Sequence, residues 1–485
     1  MPSIPRSLLS RRTLTALQVS TRRLAHSYPA TMRAQPSPNA YSDSTFVSTP
    51  FTPPSSAATA GNAPHLPLPL PTAFNRYSAS QVFPKQHFTS VYPPSPPLSE
   101  KDAFMPSPPP TRPLSRELKT SSHINPDGRF IRIVEVSPRD GLQNLKGKVV
   151  PTEVKKELVE KLLWAGVRCV EVGSFVRGDW VPQMADTPKL LPLLPAYTDP
   201  PPPPDPSSTS LTHHIPIPPS AQLIHYPVLV PNMKGLDNLL NLQSSSQASG
   251  GGSLTDEIAV FVSASEPFSQ ANNHASISSV LSSLPPLIAK AKEHNLRVRG
   301  YVSCVITCPF SGPTDVEQVV DVAERLLNMG CYEVSMGDTT GEGDVEGWGR
   351  LWKVMKRRGL DMSKVAAHCH DTFALALPSL LSLLPAGLQT IDASLSGLGG
   401  CPYSPGATGN IPTEDVVYAL HKAGYETGID LDRLVEVGRW LCGVLGVEGE
   451  SRVGRGIAGR REGREREERE GRGERASGEE TEDGM

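Results

Sequence analysis

No uninterrupted apolar run in the 485 residues approaches the roughly 20 needed to span a bilayer, so a soluble protein with no membrane partner is expected. Charge of one sign is also lacking. With 47 Lys and Arg against 50 Asp and Glu, the formal net charge is −3, which leaves no basic field for nucleic acid to meet. Cysteine is sparse, with an odd total of seven (Cys169, Cys304, Cys308, Cys331, Cys369, Cys401 and Cys442) scattered along a long chain. That pattern argues against a secreted disulfide framework and for reduced thiols. Cys304 and Cys308 have no second pair after them at zinc-site spacing.

Proline and glycine, by contrast, are abundant. Fifty prolines and 40 glycines are too many for one compact domain of ordinary composition. The prolines crowd the first 125 residues and the stretch Pro200 to Pro219, whereas Ile131 to Val447 alternates apolar runs with helical patterns. One folded domain is therefore expected over residues 126–453, with low-complexity insertions near 198–221 and 243–255 that loop out from its surface.

Acidic residues are missing from the start of the chain, the first being Asp43, while Arg6, Arg11, Arg12, Arg22 and Arg23 stand among Ser and Leu. This is transit-peptide composition, and residues 1–30 are expected to direct the protein to the mitochondrial matrix. Residues 31–125 are rich in Ser, Pro and Thr and cannot bury enough surface to offset ordering entropy, so disorder is expected there. The Arg, Glu and Gly tract of residues 454–485 is expected to be a solvated, disordered tail.

Eight short apolar runs read as strands: Ile131 to Val136, Cys169 to Val172, Tyr226 to Val230, Ile258 to Val262, Val298 to Cys304, Glu333 to Met336, Val365 to His368 and Thr390 to Ala393. Helical patterns follow most of them, among them Thr152 to Ala165, Ile277 to Glu293, Asp315 to Met329, Val345 to Arg357 and Asp371 to Leu384. Such alternation favours a parallel sheet, and eight units favour an α/β fold of the (β/α)8 TIM-barrel type with extra C-terminal helices, flanked by disordered termini. The polar residues of chemical interest then fall at strand ends, the face on which barrel active sites are built.

His368, Cys369 and His370 form a triplet at one such end. Alternate strand residues face one side, so both imidazoles can point into the barrel mouth while Cys369 points away. Asp371, Asp140 and Asn410 add oxygen donors. A mixed nitrogen and oxygen set suits Mg²⁺ or Mn²⁺ better than structural zinc.

Val134 to Asn144 reads V-E-V-S-P-R-D-G-L-Q-N, and further segments follow in order: E-V-G-S-F-V from Glu171, V-P-Q-M-A-D from Val181, V-R-G-Y-V-S-C-V-I-T-C-P from Val298 and A-H-C-H-D-T from Ala367. Most specific is Gly397 to Asn410, G-L-G-G-C-P-Y-S-P-G-A-T-G-N. Together, over roughly Phe130 to Gly454, they resemble the hydroxymethylglutaryl-CoA lyase family of metal-dependent barrels.

The resemblance implies carbon–carbon cleavage of an acyl-CoA, 3-hydroxy-3-methylglutaryl-CoA, to acetoacetate and acetyl-CoA, the step of leucine breakdown and ketone-body formation. It implies Asp140, His368, His370 and Asn410 as ligands of a divalent cation, Mg²⁺ or Mn²⁺. Arg139 would stabilise the developing enolate oxygen. Cys401 would be the general acid, on a loop freed by Gly397, Gly399, Gly400 and Gly406. Gln143 and Glu171 would support Arg139, Asp338 would lie in the same mouth, and Arg299 would meet a substrate carboxylate or phosphate. Asp140 or His368 would be the base, and a homodimer is expected.

Phe373, Ala374 and Leu375 depart from the family pattern, which has a tyrosine or asparagine and then a glycine after H-C-H-D-T. That leaves the start of the next helix open. Two rivals remain. Claisen-type synthases such as isopropylmalate or homocitrate synthases share the barrel, but they usually carry an acidic residue where this chain has Leu142, and they lack G-G-C-P. A non-catalytic interaction protein would need none of the chemical residues together.

Overall fold

The computed structural model describes residues 129–145, 147, 149–197, 218–400 and 409–479, with side chains to residue 470. The transit and Pro/Ser-rich segments, most of the 198–221 insertion, and Cys401 lie outside the described residues.

All eight expected strand regions are present and parallel. β1 (Arg132–Glu135) is followed by β2 (Cys169–Val170), β3 (Gly173–Ser174), β4 (Pro227–Leu229), β5 (Glu257–Ser263) and β6 (Arg297–Ser303). A small antiparallel hairpin, β7 (Thr307–Cys308) and β8 (Gly312–Pro313), precedes β9 (Glu333–Asp338), β10 (Val365–Cys369) and β11 (Thr390–Ala393). The sheet order is β2-β1-β11-β10-β9-β6-β5-β4-β3. Its two ends are halves of one stretch, since only Glu171 and Val172 separate β2, paired to β1, from β3, paired to β4. The sheet thus closes on itself as a (β/α)8 barrel.

The helices are α1 (Thr152–Trp164), α2 (Thr187–Leu190), α3 (Met233–Ala248), α4 (Glu266–Asn273), α5 (Ile277–Glu293), α6 (Val316–Met329), α7 (Val345–Arg357), α8 (Ala376–Leu383), α9 (Thr413–Lys422), α10 (Leu431–Leu445) and α11 (Arg452–Glu479). One continuous apolar core joins strand residues such as Ile133, Val228, Val260 and Ile391 to helix residues such as Leu158, Leu239, Leu284, Leu326, Trp348 and Leu380. Strands covered on both faces explain the near-continuous apolar runs in the sequence.

Three local expectations are corrected. The insertion near 243–255 does not loop free, because α3 runs on to Ala248. Buried Gln243 accepts hydrogen bonds from Ser253 Oγ (2.9 Å) and from the Leu254 and Thr255 amides (both 3.3 Å). The tail expected to be disordered from residue 454 is helical to Glu479. Val453 and Ile457 pack on the core, and Arg461 pairs with Asp432 and Glu436 (both 2.7 Å) on α10. Lastly, the helix expected from Asp371 begins only at Ala376, after Ala374 adopts φ 57°. That is the left-handed conformation a glycine enters freely, and it stands at the glycine position of the family pattern.

Candidate active site

β1 ends in a single wide turn, Ser137–Gly141, whose amides fold back on the Val136 carbonyl. The turn presents Arg139 and Asp140 at the carboxyl end of the barrel. Arg139 donates from one guanidinium nitrogen to Asp140 (2.6 Å) and from the other to Glu171 (2.7 Å). Tyr301 of β6 donates its hydroxyl to the same Glu171 oxygen (3.1 Å), and its ring lies 5.6 Å from the Arg139 guanidinium carbon. Arg139 is thereby held on three sides, while its Nε remains buried with no hydrogen-bond partner.

On β10, strand alternation places His368 and His370 on one side, ring centroids 5.6 Å apart, with Cys369 buried in the core. His370 bridges to Asn410 through the backbone. The Asn410 amide nitrogen donates to Asp140 Oδ2 (2.9 Å) and to the Leu398 carbonyl (3.0 Å), and Gln143 donates to Asp140 Oδ1 (3.1 Å). One potential ligand atom each from Asp140, His368 and His370 lies within 4.8 Å of the others.

The hydrogen bonds fix the tautomers. His370 Nδ1 meets the Thr339 carbonyl (2.8 Å), which can only accept, so Nδ1 carries the proton and Nε2 keeps its lone pair. His368 Nδ1 meets Asp392 Oδ2 (3.2 Å). Burial raises the Asp392 pKa, but Arg299 and His368 outweigh it and hold the carboxyl well below its ordinary range, ionised and accepting. Two imidazoles oriented from behind by a carboxylate and a carbonyl, with a carboxylate beside them, fit a divalent cation.

Burial pushes the Asp140 carboxyl up, yet Arg139, His368, His370 and Asn410 bring it below the ordinary value. Burial lowers the His368 pKa, and Asp392 more than reverses this. Burial and the neighbouring His368 push His370 down to about 4.

Arg139, Asp140, Gln143, Tyr301, His368 and His370 line one cavity of about 920 Å³. Gly400, the residue before Cys401, also lines it, and its carbonyl accepts from Asn144 (2.9 Å). Gly399 requires glycine twice over: its φ is 104°, and a Cβ there would lie 2.7 Å from the Asn410 amide nitrogen.

Two expected site residues are corrected. Arg299 is wholly buried inside the barrel, donating to Glu333 (2.8 Å) and twice to Asp392 (3.0 and 2.7 Å). Its donors are engaged with these carboxylates, so it is a structural link rather than a substrate contact. Asp338 is buried too and accepts the Gly341 (3.2 Å) and Gly343 (2.8 Å) amides, with burial raising its pKa to about 6. It organises the loop after β9 and does not line the cavity. Asp371, the further oxygen donor, instead accepts the Ala376 amide at the start of α8 (3.1 Å).

Tyr301, Asp392 and the Thr339 carbonyl were not anticipated. The available signal was a tyrosine and an acid on strands that are otherwise apolar, where a buried polar group needs a partner.

The fold and this site define a class of protein, the HMGL-like barrels, whose family model matches residues 240–441. Among curated proteins, the cytoplasmic 3-hydroxy-3-methylglutaryl-CoA lyase of Danio rerio is 40% identical over 67% of this chain and 86% of its own length. The mitochondrial hydroxymethylglutaryl-CoA lyase of Bos taurus is 37% identical over 70% and 92%. The crystal structure of hydroxymethylglutaryl-CoA lyase from Pseudomonas aeruginosa shares 38% identity at a TM-score of 0.58, covering 68% of this chain and 98% of that one. The chain belongs to the hydroxymethylglutaryl-CoA lyase family.

Proposed function

We propose that the protein cleaves 3-hydroxy-3-methylglutaryl-CoA to acetoacetate and acetyl-CoA. The observation that carries this reading is the meeting of Arg139, Asp140, His368, His370 and Asn410 around one cavity, in a chain whose relatives bear that lyase name over most of their length. Asp140, His368, His370 and Asn410 would hold a divalent cation, Mg²⁺ or Mn²⁺. When bound, the cation supplies Lewis-acid polarisation of substrate oxygens.

The residues of the chain do the rest. The tertiary hydroxyl proton leaves to Asp140 or His368. As the adjacent carbon–carbon bond breaks, its electron pair passes to the thioester as an enolate. Arg139, held by Glu171 and Tyr301, faces the oxygen on which that charge grows, an interaction absent from the ground state. Cys401, next to Gly400 on the cavity wall, donates a proton to the enolate carbon and completes acetyl-CoA. A thiol with a pKa near about 8.5 is mostly protonated at neutral pH and suits the task.

The basic, acid-poor N-terminus supports import into the mitochondrial matrix, and a homodimer belongs to the same reading. The relatives include both cytoplasmic and mitochondrial proteins, so fractionation of cells is the test of location. Activity is tested by incubating the purified protein with 3-hydroxy-3-methylglutaryl-CoA and Mg²⁺ and detecting acetoacetate and acetyl-CoA. No product, or full activity after exhaustive chelation, counts against the reading.

A further inference from the structure

The cavity wall includes an aromatic group that the cleavage chemistry does not use. Trp180 is 59% exposed, an unusual position for the largest apolar side chain, and it lines the same cavity as Arg139 and His368. Its ring meets that of His274 edge-on, centroids 5.8 Å apart. The guanidinium of Arg177, paired with Asp179, lies 5.1 Å from the Trp180 ring centroid.

His274 is held there against backbone preference. It ends α4 at φ 52° and ψ 31°, in the left-handed region, where α6 and α10 each use a glycine (Gly330 and Gly446). A side chain retained at such a position points to a role for the ring. The lining is mixed, with Asn273 and Ser283 beside the apolar Val181, Ala275 and Val280, so a purely aliphatic guest would leave amide and hydroxyl groups unpaired. A flat heteroaromatic ring with polar edges satisfies both the indole and the amides.

We infer that Trp180, with His274 packed edge-on against it, forms a stacking platform for the purine base of the CoA nucleotide. This rests on the reading of the substrate as an acyl-CoA. Base stacking on an aromatic side chain tolerates exposure, and it places binding energy far along the ligand from the bond that breaks.

The test measures the affinity of the intact protein for CoA and for 4′-phosphopantetheine, which lacks the nucleoside, by calorimetry. Trp180→Ala is expected to weaken CoA binding about 5- to 100-fold, with 4′-phosphopantetheine bound as by the wild type, while Trp180→Phe retains most of the affinity. His274→Gly removes the ring and relieves the backbone, so it folds at least as well, and it is expected to weaken CoA selectively too. CoA affinity unchanged in Trp180→Ala and His274→Gly overturns the inference, as does an equal loss for both ligands. A wild-type protein that binds neither ligand overturns the acyl-CoA reading, and the stacking platform with it.

Discussion

Asp392 of β11 accepts the Nδ1 proton of His368 on the neighbouring β10 while also accepting two hydrogen bonds from Arg299 and one from Ser335. Through this carboxylate, the orientation of a candidate metal ligand is set by the interior of the barrel. Asp392→Asn is expected to weaken Mn²⁺ binding by about 10- to 100-fold, the usual cost of losing such an outer partner. Titration with Mn²⁺ followed by electron paramagnetic resonance reads the change directly. Unchanged affinity would remove Asp392 from the site.

The two histidines should also differ in how protons compete with the cation. His370 is pushed down to about 4, so it is already neutral at pH 5 and above. His368 is raised above its ordinary value, chiefly by Asp392, so it takes up a proton at higher pH than His370 does. Metal affinity should therefore fall about tenfold per pH unit below the His368 pKa, with one proton released on binding rather than two between pH 5 and 6.5. A slope of two would show that His370 titrates as well.

Cys401→Ser is expected to bind metal and substrate nearly normally and to lose turnover by a factor of about 10² to 10⁴, the typical worth of a general acid. The loss should appear in kcat rather than KM. Rescue by added metal would instead make the cysteine structural.

Glu414 is buried, accepts the Ser396 amide and hydroxyl, and has its pKa raised to about 8, by burial first and by Glu135 among the further causes. A carboxyl raised above its unfolded value favours folding while protonated. That contribution is complete below the ordinary glutamate pKa and is lost as pH rises through about 8. Glu414→Gln, neutral throughout, should lose less stability than the wild type between pH 5 and 9, by about 2 kcal/mol or more given about 1.4 kcal/mol per pKa unit. Thermal melts across that range decide it.

Ala374→Gly should raise stability by up to about 1 kcal/mol, because the left-handed conformation costs alanine about 1–2 kcal/mol and glycine's larger unfolded-state entropy returns part of the gain. Chemical denaturation of the two proteins checks the sign.

Much of this was legible in the sequence, for stated reasons. Period-two alternation alone places His368 and His370 on one side, and apolar runs eight times repeated imply the barrel. Arg299 shows the limit. In sequence it is an arginine on a strand, as Arg139 is an arginine after one, and only the pairing of β6 with β9 and the reach to β11 reveal that Glu333 and Asp392 consume its donors. Trp180 and His274 were illegible for another reason: a loop residue and a helix end 94 positions apart meet only through the path of the chain around the barrel. The tail misled because Arg and Glu content reads as disorder, whereas pairing to α10 and two apolar contacts order a helix.

The barrel is joined unevenly. β5 and β6 are paired over Glu257 to Ser263, whereas β2 meets β1 over Cys169 and Val170 and β3 meets β4 over Gly173 and Ser174. Glu171, the residue that steadies Arg139, sits between those short ladders. The β1 side of this stretch is the thinner one: it adds the Glu171 amide to the Glu135 carbonyl (2.9 Å), whereas the β4 side is also bonded through Val170, Val172 and Phe175. Local opening is easiest along a thin ladder, so mild denaturant should part β1 from this stretch and release the guanidinium first. Catalysis would then fail while the far side of the barrel still holds, and the loss of activity would precede the loss of helical signal.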